Sequence, residues 1–145
     1  MNAFQLFGIL LLSMLLQRQT IAQDKEYHVG NLQTMASEDF RKTKPVVSKK
    51  TEGFLIKAWL RNTDQSQYEV KVIIASVKTK KILTDGDVWF HIVYPSRKNL
   101  MPKLKQTNDY HEGIVDLSEK GTYKMMVHLN IGEKHPAITF SYEIH

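Results

Sequence analysis

The sequence predicts an all-β protein made of two antiparallel sheets packed face to face, and three observations carry that prediction. Between Gly121 and His145, Tyr123, Met125, Val127, Leu129 and Ile131 alternate with Lys124, Met126, His128 and Asn130. After a Gly/Pro break, Ile138, Phe140, Tyr142 and Ile144 alternate with Thr139, Ser141 and Glu143. A period of two is that of a half-buried strand, so this region reads as a hairpin with one apolar face. Upstream stretches alternate in the same way between turn clusters, and no apolar stripe supports a helix longer than a turn. The apolar face needs a cover, which a second sheet supplies.

The chain opens with FQLFGILLLSMLL, Phe4 to Leu16, an apolar run too short to span a bilayer and followed by Gln17, Arg18 and Gln19. This is the h-region of a signal peptide. Thr20 and Ala22 are the small residues before a cut ahead of Gln23, although MNAFQLF has no Lys or Arg and leaves the positive n-region to the terminal amine. The expectation is a signal peptide over 1–22, a periplasmic or secreted product, and no stable membrane span once the leader is removed. Gln23 to Glu52 is a polar, mostly irregular lead-in, with at most one helical turn at ASEDFRK capped by Ser37 and a short edge strand at Pro45 to Val47.

From Gly53 the character changes. Phe54, Ile56, Ala58 and Leu60 alternate with Leu55, Lys57, Trp59 and Arg61 to give a first strand, and NTDQSQ turns it. In YEVKVIIASV, Tyr68, Val70, Val72 and Ile74 face inward, and Ile73, Ala75 and Val77 add apolar character on the other side, as in a central strand. Asp85-Gly86 is a turn pair whose glycine accepts φ > 0. VWFHIVYP places Val88, Phe90, Ile92 and Tyr94 on one face and Trp89, His91 and Val93 on the other, and Pro95 ends it. SRKNLMPKLKQTND is a long loop with room for a short strand at Leu104 to Gln106, and YHEGIVDL is a strand from Tyr110 to Leu117. Six or seven strands over 53–145, with turns roughly every dozen residues, describe an immunoglobulin-like antiparallel β-sandwich. Tyr123, just inside the late strand after DLSEKG, is placed to bond back to backbone near Asp116 as a tyrosine corner.

With 42% hydrophobic and 24% charged residues the chain suits one domain with an ordinary core. The absence of Cys excludes disulfides, thiol catalysis and Cys-type zinc sites. The net charge of +5, one less without Arg18, is too mild to argue for nucleic acid.

The run DGDVWFHIVYP, the loop with Met101-Pro102, and YHEGIVDLSEKGTYKMMVHL resemble the bacterial YtkA-like and FixH-like exported domains, in which a Pro-ended strand, a Met/Pro loop and an L-x-x-x-G-x-Y turn recur in that order. The resemblance spans roughly Gly53 to Glu143 and rests mainly on Pro95, Met101, Pro102, Gly121 and Tyr123. It implies a non-enzymatic domain of the cell envelope, of a kind sometimes found near metal-transport or respiratory-assembly systems.

Three sets of residues are candidates for chemistry. Met126 and His128 lie two apart on the outward face of one strand, about 7 Å between Cα atoms, close enough to share an ion. His91 joins them if its strand is the neighbour, and Met101 is a fourth donor on the nearby loop. Thioether with imidazole suits Cu(I), while a packed methionine beside a solvent-facing histidine is the plain alternative. Second, Trp59 and Trp89 sit out of phase with the core, as an exposed patch for a partner or as a sign that each sheet is covered on both faces. Third, Arg97, Lys98, Lys103 and Lys105, with Lys78, Lys80 and Lys81, offer a cationic surface for anionic polysaccharide, lipid headgroups or an acidic partner, or simply a solvated face. Few aromatics accompany them, so nucleic acid is not expected. His111-Glu112 and Glu133-Lys134-His135 supply acid and base groups but no nucleophile motif stands beside either, so no catalysis is expected.

The functional expectation is therefore an exported cell-envelope module that binds a protein or ligand and catalyses nothing, with no cofactor. Its alternative is a periplasmic copper-handling domain, and the third reading is surface binding of anionic polysaccharide or lipid.

Overall fold

In the computed structural model, residues 40–145 are described; the expected signal peptide (1–22) and the lead-in up to residue 39, Ser37 included, lie outside the described residues. Phe40–Lys42 form a single 3-10 turn, closed by the Thr43 N–H and hydroxyl, which both donate to the Phe40 carbonyl at 3.1 and 2.6 Å. The sandwich is the unit Lys44–His145.

Its strands in chain order are β1 (Val47–Thr51), β2 (Phe54–Asp64), β3 (Gln67–Ser76), β4 (Asp87–Val93), β5 (Asn99–Leu100), β6 (Lys105–Thr107), β7 (Tyr110–Asp116), β8 (Gly121–Asn130) and β9 (Ala137–Ile144). One sheet, A, has the order β1-β2-β3-β7-β6 and the other, B, the order β5-β4-β8-β9. All pairings within them are antiparallel. The six strands of seven or more residues are those that alternation predicts. The count rises to nine because β1, β5 and β6 are short edge strands with almost no apolar alternation. β1 also moves the start of the domain: 47–51 pair with β2, so the sandwich does not begin at Gly53.

The inward phases of both sheets form one core. Ile56, Ala58, Val70, Val72 and Ile74 from sheet A meet Val88, Phe90, Ile92, Met125, Val127 and Leu129 from sheet B, all fully buried. At one edge the Lys49 ammonium donates to the Thr139 carbonyl at 2.6 Å, tying β1 to β9. At the other, the 102–104 segment runs along β4, and Leu104, 3% exposed, enters the core before the chain passes to β6. The expected turn at Asp85-Gly86 is present with Gly86 at φ 103°, where an added Cβ would lie 2.6 Å from the Asn130 carbonyl.

The tyrosine corner is present, with a different partner. The Tyr123 hydroxyl donates to the Glu119 carbonyl and accepts from the Glu119 N–H, both at 2.8 Å, while the Asp116 carbonyl is taken by the Tyr94 hydroxyl at 2.7 Å. The two rings meet edge to face at 5.2 Å. Glu119 in turn accepts from the Ser96 N–H and hydroxyl at 2.9 and 2.8 Å, which fixes the turn leaving β4. Gly121, at φ 121°, lets Pro95 pack where a Cβ would stand 3.2 Å away.

Candidate metal site on the outer face of sheet B

The outward phase of sheet B is read from its register. In β4 and β8, Trp89 faces His128, His91 faces Met126 and Val93 faces Lys124; in β8 and β9, Met126 faces Thr139 and Lys124 faces Ser141. Opposed residues of an antiparallel pair point to the same side, so these side chains form parallel rows across one surface.

Met101 enters through the other edge of β4. Ile92 pairs with Leu100 and Val93 with Asn99, and a separate bridge joins Trp89 to Lys103. The Tyr94 N–H donates to the Lys98 carbonyl, the Phe90 N–H to the Pro102 carbonyl and the Leu104 N–H to the Val88 carbonyl, at 2.8–2.9 Å. One constant register satisfies all of these, and in it Met101 stands opposite His91. Because the bonds fall at 88, 90 and 94, His91 and Met101 occupy a non-hydrogen-bonded pair, the kind whose side chains approach more closely.

The row is therefore Met101, His91, Met126, with His128 diagonal to His91. The rings of His91 and His128 lie 6.3 Å apart, centroid to centroid, with their planes tilted by 34°. A metal bound at about 2.0–2.1 Å to an imidazole nitrogen lies about 3.2 Å from the ring centroid, so two rings sharing it sit no more than about 6.4 Å apart. The observed separation is inside that limit. Met101 is 52% exposed, and Met126, His91 and His128 are half-buried, open to solvent on the outer side. Burial, and then the neighbouring His91, push the His128 imidazole below its usual range, which favours the neutral ring that ligates metal. A groove of about 480 Å³ continues the row, lined by His91, Val93, Lys124, Met126, Thr139 and Ser141.

The donor set is soft. Among the described residues no three His, Cys, Asp or Glu side chains cluster as a hard or borderline cation would require. Two thioethers with two imidazoles match a monovalent, soft ion such as Cu(I) and offer little to Ca²⁺ or Mg²⁺.

Of the other candidates, Trp89 and Lys103 lie beside these. Trp59 points outward from sheet A but is only 7% exposed, so it offers no patch to a partner. It faces Lys71, itself 3% exposed, whose ammonium lies 3.2 Å from Glu69 and 5.1 Å from the Tyr110 ring centroid. Trp89 is half-buried beside His128 and belongs to the sheet B face. The cationic residues are dispersed. Arg97 and Lys98 lie in the turn after β4, with Lys98 over the Tyr94 ring, while Lys105 is on β6 of sheet A opposite Glu112. Lys103 is paired with Asp87 at 2.7 Å and lies 5.9 Å from the centre of the Trp89 ring. His111 and Glu112 face opposite sides of β7. His111 is 2% exposed, and burial pushes it toward the neutral form against the opposing pull of the Gly86 backbone and Asp87. Glu112 accepts from the Thr107 hydroxyl at 2.9 Å. In the β8–β9 turn, His135 Nδ1 lies 2.9 Å from Asn130 Oδ1.

Sequence reasoning missed Asn99, whose Oδ1 lies 3.2 Å from His91 Nε2.

A comparison with protein-family models finds no match, and a comparison with curated proteins finds none either. Among solved structures, a Br derivative of BhCBM56 is similar with a TM-score of 0.46 and 16% identity, over 67% of this chain and 98% of that one. The GAE domain of GGA2p from Saccharomyces cerevisiae is similar with a TM-score of 0.37 and 10% identity, over 71% and 98%. Likeness this distant says nothing about what this chain binds.

Proposed function

We propose that this chain is a non-catalytic binding module of the cell envelope that holds Cu(I) on the outer face of sheet B, with His91, Met126, His128 and Met101 as ligands. The observation that carries the reading is the register that sets Met101 and Met126 on either side of His91, with the His128 ring 6.3 Å away. Thioethers bind hard cations poorly and Cu(I) well, and Cu(I) accepts the low coordination numbers that an open sheet face provides. An envelope location is supported by the Phe4–Leu16 run and by the resemblance to YtkA-like and FixH-like domains.

Three of the donors lie on strands, His91 on β4 and Met126 and His128 on β8, so they keep their spacing without metal, and Met101 follows directly on β5 in the same register. Its open outer side gives a partner direct access to the ion, which suits acquisition or transfer better than permanent storage. The groove beside it, with Lys124 at one wall, is where a partner or co-ligand would rest.

The test is a Cu(I) titration of the purified mature chain under reducing conditions against a competing chelator. One equivalent is expected to be withdrawn from the chelator. A chain that withdraws none would remove the metal reading and leave the face as a candidate surface for a protein partner.

A further inference from the structure

The geometry points to Asn99 as a positioning residue that makes Nδ1 of His91 the metal-binding nitrogen, an inference that rests on the Cu(I) reading of this face. A neutral imidazole has one N–H and one lone pair, and the hydrogen bond made by one nitrogen decides which of the two is left for a metal. Asn99 Oδ1 lies 3.2 Å from His91 Nε2, and Asn99 Nδ2 donates to the Arg97 carbonyl at 3.3 Å.

The second of these contacts orients the first. The Arg97 carbonyl can only accept, so the amide nitrogen of Asn99 must face it; the reversed amide would set two oxygens against each other. The atom at His91 is then the amide oxygen, which also only accepts. His91 Nε2 therefore carries the hydrogen, and Nδ1 keeps the lone pair.

The backbone gives this contact its place. Asn99 pairs with Val93 in the same register that sets Met101 opposite His91, so Asn99 lies diagonal to His91 on the same face. Arg97, at φ 69° in the turn after β4, presents its carbonyl to the Asn99 amide. One short segment thus supplies both a thioether donor, Met101, and the group that sets the tautomer of the imidazole opposite it. Metal-bound histidines commonly have their second nitrogen held by such an acceptor, and losing it costs about 10–100-fold in metal affinity.

Two measurements test this. In long-range ¹H–¹⁵N spectra of the metal-free protein, His91 is expected as the Nε2–H tautomer, and Asn99→Leu is expected to redistribute it between both forms. In mildly alkaline buffer, where imidazole is neutral, Asn99→Leu is expected to weaken Cu(I) binding by about 10–100-fold. Asn99→Asp keeps the acceptor at His91 but sets its second oxygen against the Arg97 carbonyl, so it is expected to hold the Nε2–H tautomer and to lose less affinity than Asn99→Leu, a partial rescue that a merely structural role would not produce. An Nδ1–H tautomer at His91, or an Asn99→Leu chain with unchanged affinity, would overturn the role of Asn99 while the Cu(I) site stands. An unaltered chain that binds no Cu(I) overturns the site itself, whatever the tautomer.

Discussion

A chain carrying His91→Ala and Met126→Ala together is expected to bind Cu(I) at least about a thousandfold more weakly than the unaltered chain, since losing even an outer-sphere partner of a metal site costs about 10–100-fold and these are two ligands. His91 is the natural choice because Met101, Met126 and His128 all neighbour it. Neither side chain belongs to the buried cluster, so the free energy of unfolding is expected to change by less than about 1 kcal/mol. Chelator competition and urea unfolding on the same preparations read the two effects separately. His135→Ala, in the β8–β9 turn, serves as the control histidine and is expected to leave affinity unchanged. Double-variant affinity within tenfold of the unaltered chain would show that the row on sheet B is not where the ion binds.

The second large effect concerns the frame that holds this face. Tyr123→Ala is expected to destabilise the sandwich by about 3–5 kcal/mol, the usual range for removing a fully buried aromatic ring. For a domain of this size that lowers the unfolding temperature by at least about 12 °C. Tyr123→Phe keeps the ring against Tyr94 but strands the Glu119 N–H and carbonyl, so it should cost about 1–3 kcal/mol. The corner also reaches the site. Glu119 holds Ser96, and Ser96 starts the turn from which Asn99 and Met101 are delivered alongside β4. If Tyr123→Ala cost less than about 1 kcal/mol in urea unfolding, the corner would not be the support described.

The parts of the fold that could be read in the sequence are those in which an apolar period of two forces one face inward. Phe54 to Leu60, Tyr68 to Ile74, Val88 to Ile92 and the β8–β9 hairpin all carry that period, and all became long strands. The edge strands escaped because they bury so little. β1 buries only Val47, and β5 and β6 bury none of their side chains, so no periodicity marks them. The candidate site was half legible. Met126 and His128 share one strand face, and His91 was visible as an outward residue of another strand, but which strands are neighbours is a matter of topology.

Met101 had a clearer signal that sequence reading did not use. Folding the chain as a hairpin about YPSRK pairs Tyr94 with Lys98, Val93 with Asn99 and His91 with Met101, which is the register found. Asn99 leaves no trace in periodicity, because its link to His91 depends on that turn and on side-chain orientation. Arg97, Lys98, Lys103 and Lys105 are divided between the turn after β4, the edge of sheet B and β6 of sheet A, because the chain crosses from sheet B to sheet A within that span.

On the proposed reading, thioether and imidazole donors from neighbouring strands meet at one ion. The X-ray absorption fine structure of the Cu(I)-loaded chain reads that first shell. Nitrogen scatterers at about 2.0 Å are expected together with at least one sulfur at about 2.3 Å, the usual metal–imidazole and metal–sulfur distances. A first shell of nitrogen and oxygen alone would contradict it.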